Sequence, residues 1–189
     1  MAGFVSLIDA CALYPAALRD LIMGTAQTGL YRARWTDKIH DEWIRNVLKN
    51  RPDLKAETLQ RTRELMNAAV PDCLVTGYES LIEGLTLPDP DDRHVLAAAI
   101  AGHAAVIVTY NLKDFPEECL RPFGITAEHP DQFISNLFDL SPPTVAQVVR
   151  DQRARLQNPP RTVDELLDTF LRSELAETVA QLGTMRGLL

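Results

Sequence analysis

The chain has 189 residues, 46% of them apolar and 24% charged, which excludes wholesale disorder and suits one full domain, or a core domain with a smaller appendage. Its formal charge of −7 argues against a surface coated in basic residues. No run approaches the roughly 18 apolar residues of a membrane span, the N-terminus does not read as a secretory leader, and Cys11, Cys73 and Cys119 lack zinc-type spacing, so a cytoplasmic protein with reduced thiols and no membrane association is expected.

Phe4 to Ile8 is a short, mostly apolar run with β-branched content and reads as a buried parallel strand reaching Asp9. A helix is predicted from about Tyr14 to Met23, with Pro15 in its first turn. Two more follow, Asp37 to Lys49 and Lys55 to Ala69, separated by the turn Asn50–Arg51–Pro52–Asp53. Cys73 to Val75 is a weaker strand candidate. After the stop signal Leu87–Pro88–Asp89–Pro90, the segment Asp91 to Gly102 has helical periodicity. Ala105 to Tyr110 is a second clear strand, and Ile125 to Ala127 a last short one. Strands alternating with helices imply an α/β three-layer sandwich around a mostly parallel sheet. Asp139–Leu140–Ser141–Pro142–Pro143 reads as a junction. Beyond it, Thr144 to Leu156 and Val163 to about Leu182 are predicted helices forming a C-terminal helical hairpin, which divides the chain into residues 1–138 and 139–189. The second helix carries an apolar stripe from Val163 to Leu182 that needs burial against its own chain, a partner or a second copy in a homodimer.

Several carboxylates fit poorly into a purely structural role. At about 100° per residue, Asp92 lies on the same helical face as Val95, Leu96 and Ala99, so its carboxylate is aimed along a buried stripe. An ionised group placed there demands a cation, a set of donors or a shifted pKa. Asp89 and Asp91 are the better candidates for capping this helix, and His94, roughly opposite Asp92, is expected to face solvent. Asp9 ends the first strand, while Asn111 and Asp114 follow the strand Ala105 to Tyr110. In open parallel sheets, ligands bind outside the carboxyl ends of the strands, which is also where a helix preceding a strand begins. Glu42 borders the apolar stripe of its helix and is able to lean towards the same crevice. Four acids on one edge repel one another by roughly 4 kcal/mol per pair at about 4 Å and an effective dielectric of 20. Oxygen-rich sites of this kind suit Mg²⁺ or Mn²⁺. Charge is unevenly spread as well. Residues 32–63 hold nine Lys/Arg against five acids, leaving ten basic and twenty-one acidic residues elsewhere, so a basic ridge beside an acidic pocket is expected.

Val5–Ser6–Leu7–Ile8–Asp9–Ala10, Glu42, Asp91–Asp92–Arg93–His94–Val95–Leu96–Ala97–Ala98–Ala99 and Val108–Thr109–Tyr110–Asn111–Leu112–Lys113–Asp114–Phe115 stand in an order and spacing that resembles the PIN-domain family, in particular the VapC-like toxins of prokaryotic toxin–antitoxin pairs. The resemblance covers roughly residues 4–138. It implies a metal-dependent endoribonuclease with Asp9, Glu42, Asp92 and Asp114 as metal-binding catalytic acids, RNA as substrate and an antitoxin protein as partner. Thr109 would hold the loop or contact a ligand water. Asn111 stands where many members have Asp, which removes one charge from the site. Arg45 and Lys49 of the basic segment are the residues expected to meet RNA. Two rivals stand beside this reading. One is an inactive PIN-like module whose acidic crevice docks a basic peptide of a partner. The other is an α/β phosphohydrolase with Asp9 as covalent nucleophile, which usually needs a second Asp two residues on, where this chain has Cys11.

Overall fold

The computed structural model describes residues 3–189. Strand β1 (Val5–Ile8) leads into a short helix α1 (Ala10–Leu13) and then α2 (Ala16–Gln27); β2 (Arg32–Arg34) is followed by α3 (Asp37–Asn50) and α4 (Ala56–Ala69). A 3₁₀ turn at Glu79–Gly84 and a second at Pro90–Asp92 precede α5 (Arg93–Ala101), then come β3 (Val106–Val108), a 3₁₀ turn at Leu112–Asp114, α6 (Glu117–Leu120) and β4 (Thr126–Glu128). Four helices complete the chain: α7 (Pro130–Leu140), α8 (Pro142–Arg155), α9 (Val163–Arg172) and α10 (Ala176–Gly183). The expected α/β architecture is present, with a parallel sheet of order β2-β1-β3-β4 at its centre.

β1 and β3 are the buried middle strands, with Leu7, Ile8, Ile107 and Val108 fully enclosed, which explains their apolar runs. β2 has no such signature. Its Arg32–Ala33–Arg34 turns only Ala33 fully inward, because an edge strand needs just one buried side chain to be held by its neighbour's backbone. The Cys73 to Val75 candidate contributes a single bridge, Trp35 to Leu74, as a ragged continuation of that edge.

The polar interior fixes α3. Trp43 donates to His40 Nδ1 at 2.9 Å, and His40 Nε2 and Trp35 Nε1 share Asn67 Oδ1 of α4 at 3.0 and 2.8 Å. Trp43 occupies the acceptor nitrogen, so the His40 proton sits on Nε2. Burial first holds the imidazole down at about 4, with the hydrogen bond to Asn67 opposing, so the ring stays neutral at ordinary pH.

The C-terminal helices are built into the body. α8 packs on α2 and α7, and α10 on α7 and α9. Most of the apolar stripe expected on one long helix is covered by this chain: Leu166, Leu167, Phe170, Leu175 and Leu182 are buried, Val163 and Val179 are partly buried, and Leu171 stays exposed. That helix is divided. Leu175 N–H donates to the Phe170 carbonyl and Glu174 N–H to the Leu171 carbonyl, with Glu174 at φ +60, which together make a Schellman stop. Leu175 and Phe170 are both fully buried, the apolar contact that usually accompanies this motif. A glycine would have announced the break; glutamate in the left-handed conformation, disfavoured by about 1–2 kcal/mol, gives no sequence signal. α10 then starts under Asp131 of α7, whose two carboxylate oxygens accept from Glu177 N and Thr178 N at 2.8 Å each.

α2 and α8 approach so closely at Gly24 that an added Cβ would lie 2.5 Å from Val148 Cγ1. Gly24→Ala is therefore expected to lower stability by about 1–3 kcal/mol of overpacking, outweighing the helix-propensity gain of about 0.5–1 kcal/mol. Combining it with Val148→Ala should give a protein more stable than the sum of the two single changes. Urea melts of the four proteins in this cycle measure the coupling, and strict additivity would show that the helices are not pressed together here.

Candidate metal centre

The sheet order places the carboxyl ends of β1 and β3 side by side, with Ile8 opposite Val108. Asp9 follows one and Thr109 the other. Asp9 N–H bonds the Val108 carbonyl at 3.0 Å, and the Asp9 side chain caps α1 by accepting from Ala10 N at 2.6 Å through Oδ1. Its Oδ2 accepts from Thr109 Oγ1 at 2.8 Å and from the Cys11 thiol at 3.1 Å. Thr109 Oγ1 in turn accepts from Asn111 N at 3.0 Å. Burial, with Asp9's charge next, pushes the Cys11 thiol up to about 12, so it remains a donor and supplies no thiolate.

Asp89, Asp92 and Asp114 each present an oxygen such that all three lie within 4.8 Å of one another. Asp92 stands at the start of α5 but makes no side-chain cap bond, and its Oδ2 is buried without a hydrogen-bond partner among the described residues. The helical face read from the sequence does carry this carboxylate inward. Burial, then Asp9, Asp89 and Asp114, push its carboxyl up to about 6, with His94 opposing. No Lys or Arg among the described residues lies within 4.0 Å of these carboxylates. Asp114 is oriented by Asn111, whose Nδ2 donates to its Oδ2. An amide in place of a carboxylate thus removes one negative charge and adds a donor that aims another. Asp89 was expected only as a cap. Its Oδ1 does accept from Asp91 N at 2.9 Å, yet the residue also joins the cluster. The i, i+3 spacing of Asp89 and Asp92, which puts both on one side of a single turn, was the signal available for it.

Glu42 lies outside that trio. Its Oε1 is 3.1 Å from His94 Nε2, across from α5. The expectation that His94 faces solvent is overturned, for the residue is 2% exposed. An angular construction on α5 assumes one wet face, whereas His94 to Ala99 are six consecutive buried residues, because α5 is packed against β1, β3 and the turn at Glu79–Gly84. Arg45 and Lys49 are exposed on α3, one and two turns' reach beyond Glu42. Much of the basic segment is neutralised locally: Arg63 pairs with Asp37 and Asp41, Arg51 with Asp53, Arg61 with Glu64 and Arg32 with Asp72. Arg34, Lys38, Arg45, Lys49 and Lys55 have no acidic partner within 4.0 Å among the described residues.

A parallel sheet with acids gathered at the carboxyl ends of its central strands defines a class, and comparison with known sequences gives the same one. Residues 6–113 match the PIN domain family, and the chain belongs to it. Residues 130–184 match the VapC50 C-terminal domain, so the chain has a VapC-like arrangement of a PIN domain and a helical C-terminal unit whose match begins at the first residue of α7. A Mycobacterium tuberculosis protein named "Putative ribonuclease VapC50" is 40% identical over 108 residues, 55% of this chain and 63% of that protein. The chain thus spans less than two thirds of that relative's length. No solved structure matches the chain.

Asp92→Asn separates a crowded ligand from a cap. The folded-state pKa of Asp92 is raised, so the native protein binds a proton more tightly than the unfolded chain, and the penalty is full above about pH 6 and relieved progressively as pH falls from there to the ordinary carboxyl value of 3.8. In EDTA the Asn variant should melt higher than the wild type at about pH 7.5, with the advantage roughly halved at about pH 5. Equal melting temperatures at both pH values would show that Asp92 carries no such penalty.

Proposed function

We propose that this chain is a divalent-metal-dependent endoribonuclease acting in the cytoplasm as the toxin of a toxin–antitoxin pair. The observation that carries the reading is the buried, partnerless Asp92 Oδ2 inside a carboxylate trio, set in a PIN domain at the carboxyl edge of a parallel sheet. This donor set fits a hard divalent cation, since it consists of carboxylate oxygens within one ion's span. Asp92 and Asp114 would hold Mg²⁺ or Mn²⁺ together with Asp89 and Asp9, and Glu42, held by His94, would border the site. A bound cation would supply Lewis acidity and an acidified water for phosphodiester hydrolysis.

The chain's own groups do the rest. Thr109 and Cys11 fix the Asp9 carboxylate by donating to Oδ2. Asn111 sets the rotamer of Asp114. Arg45 and Lys49, unpaired on the outer face of α3, attract the phosphate backbone and align it along the helix that carries Glu42. An antitoxin protein is the partner this reading requires. Asp9 as a covalent nucleophile is disfavoured, because both of its oxygens already accept hydrogen bonds and position 11 is the Cys that donates one of them.

Incubation of the purified protein with total cellular RNA should give discrete cuts with Mg²⁺ or Mn²⁺ and none in EDTA. Asp114→Asn should lower cleavage at least about a hundredfold, as expected when a charge-bearing metal ligand is lost. Full activity of metal-stripped protein in EDTA would refute the reading; binding to a basic partner peptide without any cleavage would favour the inactive module instead.

The role of α3 has its own test. Neutralising Arg45 and Lys49 together should weaken RNA binding and reduce the slope of log K against log salt by about 1.4, roughly 0.7 per phosphate contact on a single strand. An unchanged slope would return both residues to an ordinary solvated helix face.

A further inference from the structure

We propose that Tyr110 is a positioning residue through which the C-terminal helices set the geometry of the metal-binding loop. This rests on the nuclease reading and adds to it a route by which α9 and α10 reach the site without touching it. Tyr110 stands between Thr109, which holds Asp9, and Asn111, which holds Asp114. Its backbone N–H donates to Cys11 Sγ at 3.3 Å, and that thiol donates onward to Asp9 Oδ2 at 3.1 Å. Every neighbour of Tyr110 in the loop is thus committed to a carboxylate of the site.

The side chain leaves this nest and crosses to the C-terminal unit. Its phenol donates to the Ser173 carbonyl at 2.6 Å, and its ring meets the edge of His129 with centroids 4.9 Å apart and planes at 84°. Ser173 caps the carboxyl end of α9 at the Schellman stop, where the chain turns away through Glu174 and leaves this carbonyl without a helical donor. Burial, with the Glu174 carboxylate next, raises the phenol pKa, so the O–H is intact as a donor at neutral pH. The bond therefore joins a helix stop made by a left-handed non-glycine residue, Glu174, to the residue flanked by both site-holding side chains. A rigid tie at that point limits how far Thr109 and Asn111 can drift.

Tyr110→Phe keeps the ring and its edge contact and deletes only the O–H. Tyr31→Phe is the matched control, because Tyr31 also donates to a backbone carbonyl, that of Ile22 at 2.9 Å, but inside the core away from the loop. Four quantities are read for wild type and both variants: melting temperature, the Mg²⁺-induced rise in it, hydrogen exchange of the amides of residues 109–114, and steady-state cleavage of an RNA that the wild type cuts. Both variants should melt lower to a similar extent. Tyr110→Phe alone should exchange faster at 109–114, show a smaller Mg²⁺ shift, and lose about tenfold in kcat with KM little changed, as a sub-ångström misplacement of ligands would produce. Wild-type exchange and kcat in Tyr110→Phe, or a loss matched by Tyr31→Phe, would overturn the inference and leave the nuclease reading standing. Should the wild type cut no RNA with metal present, the nuclease reading falls, and the exchange and Mg²⁺-shift comparison still decides whether the tie positions the loop.

Discussion

The hydrogen bond from Thr109 Oγ1 to Asp9 Oδ2, 2.8 Å long, joins the ends of two parallel strands that are a hundred residues apart in the chain. Parallel neighbours cannot be linked by a hairpin, so everything between them must be crossover, and here the crossover is α1 to α5 together with the edge strand β2. The chain runs outward from β1 to β2 on one side and returns to β3 and β4 on the other. That reversal opens a crevice at the carboxyl ends of β1 and β3, and the acids collect there because the loops leaving those strands and the start of α5 all meet at it. Were Thr109 unable to donate, the two strand ends would still pair through their backbones, but Asp9 would lose the bond that orders its side chain across the crevice.

Within that crevice the electrostatics are unbalanced, and the imbalance is local. Asp9 is satisfied by three donors, and Glu42 has His94. Asp92 has none for its buried oxygen and faces the charges of three other carboxylates. A fold that stabilises some acids so thoroughly while leaving one in deficit holds a free-energy reserve that a cation would release on binding. The absence of one carboxylate at Asn111 moderates the repulsion and, through the bond to Asp114, converts it into orientation.

The C-terminal helices belong to the same mechanical unit. α8 lies against α2 with Gly24 beneath Val148, α10 is capped by Asp131 of α7, and Ser173 receives the Tyr110 phenol. Each contact depends on a residue whose importance lies entirely in what faces it: a glycine with no room above it, an aspartate at the N-terminus of another helix, and a carbonyl freed by a helix stop. A partner that moved α9 or α10 would pull on the loop carrying the site.

Much of this was legible in the chain itself. Mostly apolar runs at Val5–Ile8 and Val106–Val108, broken only by Ser6, announce buried parallel strands, because a strand covered on both faces has little polar side to show. The period-3.6 patterns of α3, α4 and α5 and the misfit of Asp92 on its apolar face likewise follow from residue order alone. β2 was not legible, since an edge strand of Arg–Ala–Arg owes its conformation to its neighbour's hydrogen bonds. The break between α9 and α10 was hidden because glutamate, not glycine, occupies the left-handed position. His94 was read as exposed and is buried, and Asp89 was read as a cap and also joins the acidic cluster, for one reason in both cases. A helix's own periodicity states which residues share a face, but which faces are covered, and which acids meet, depends on the elements that fold against it.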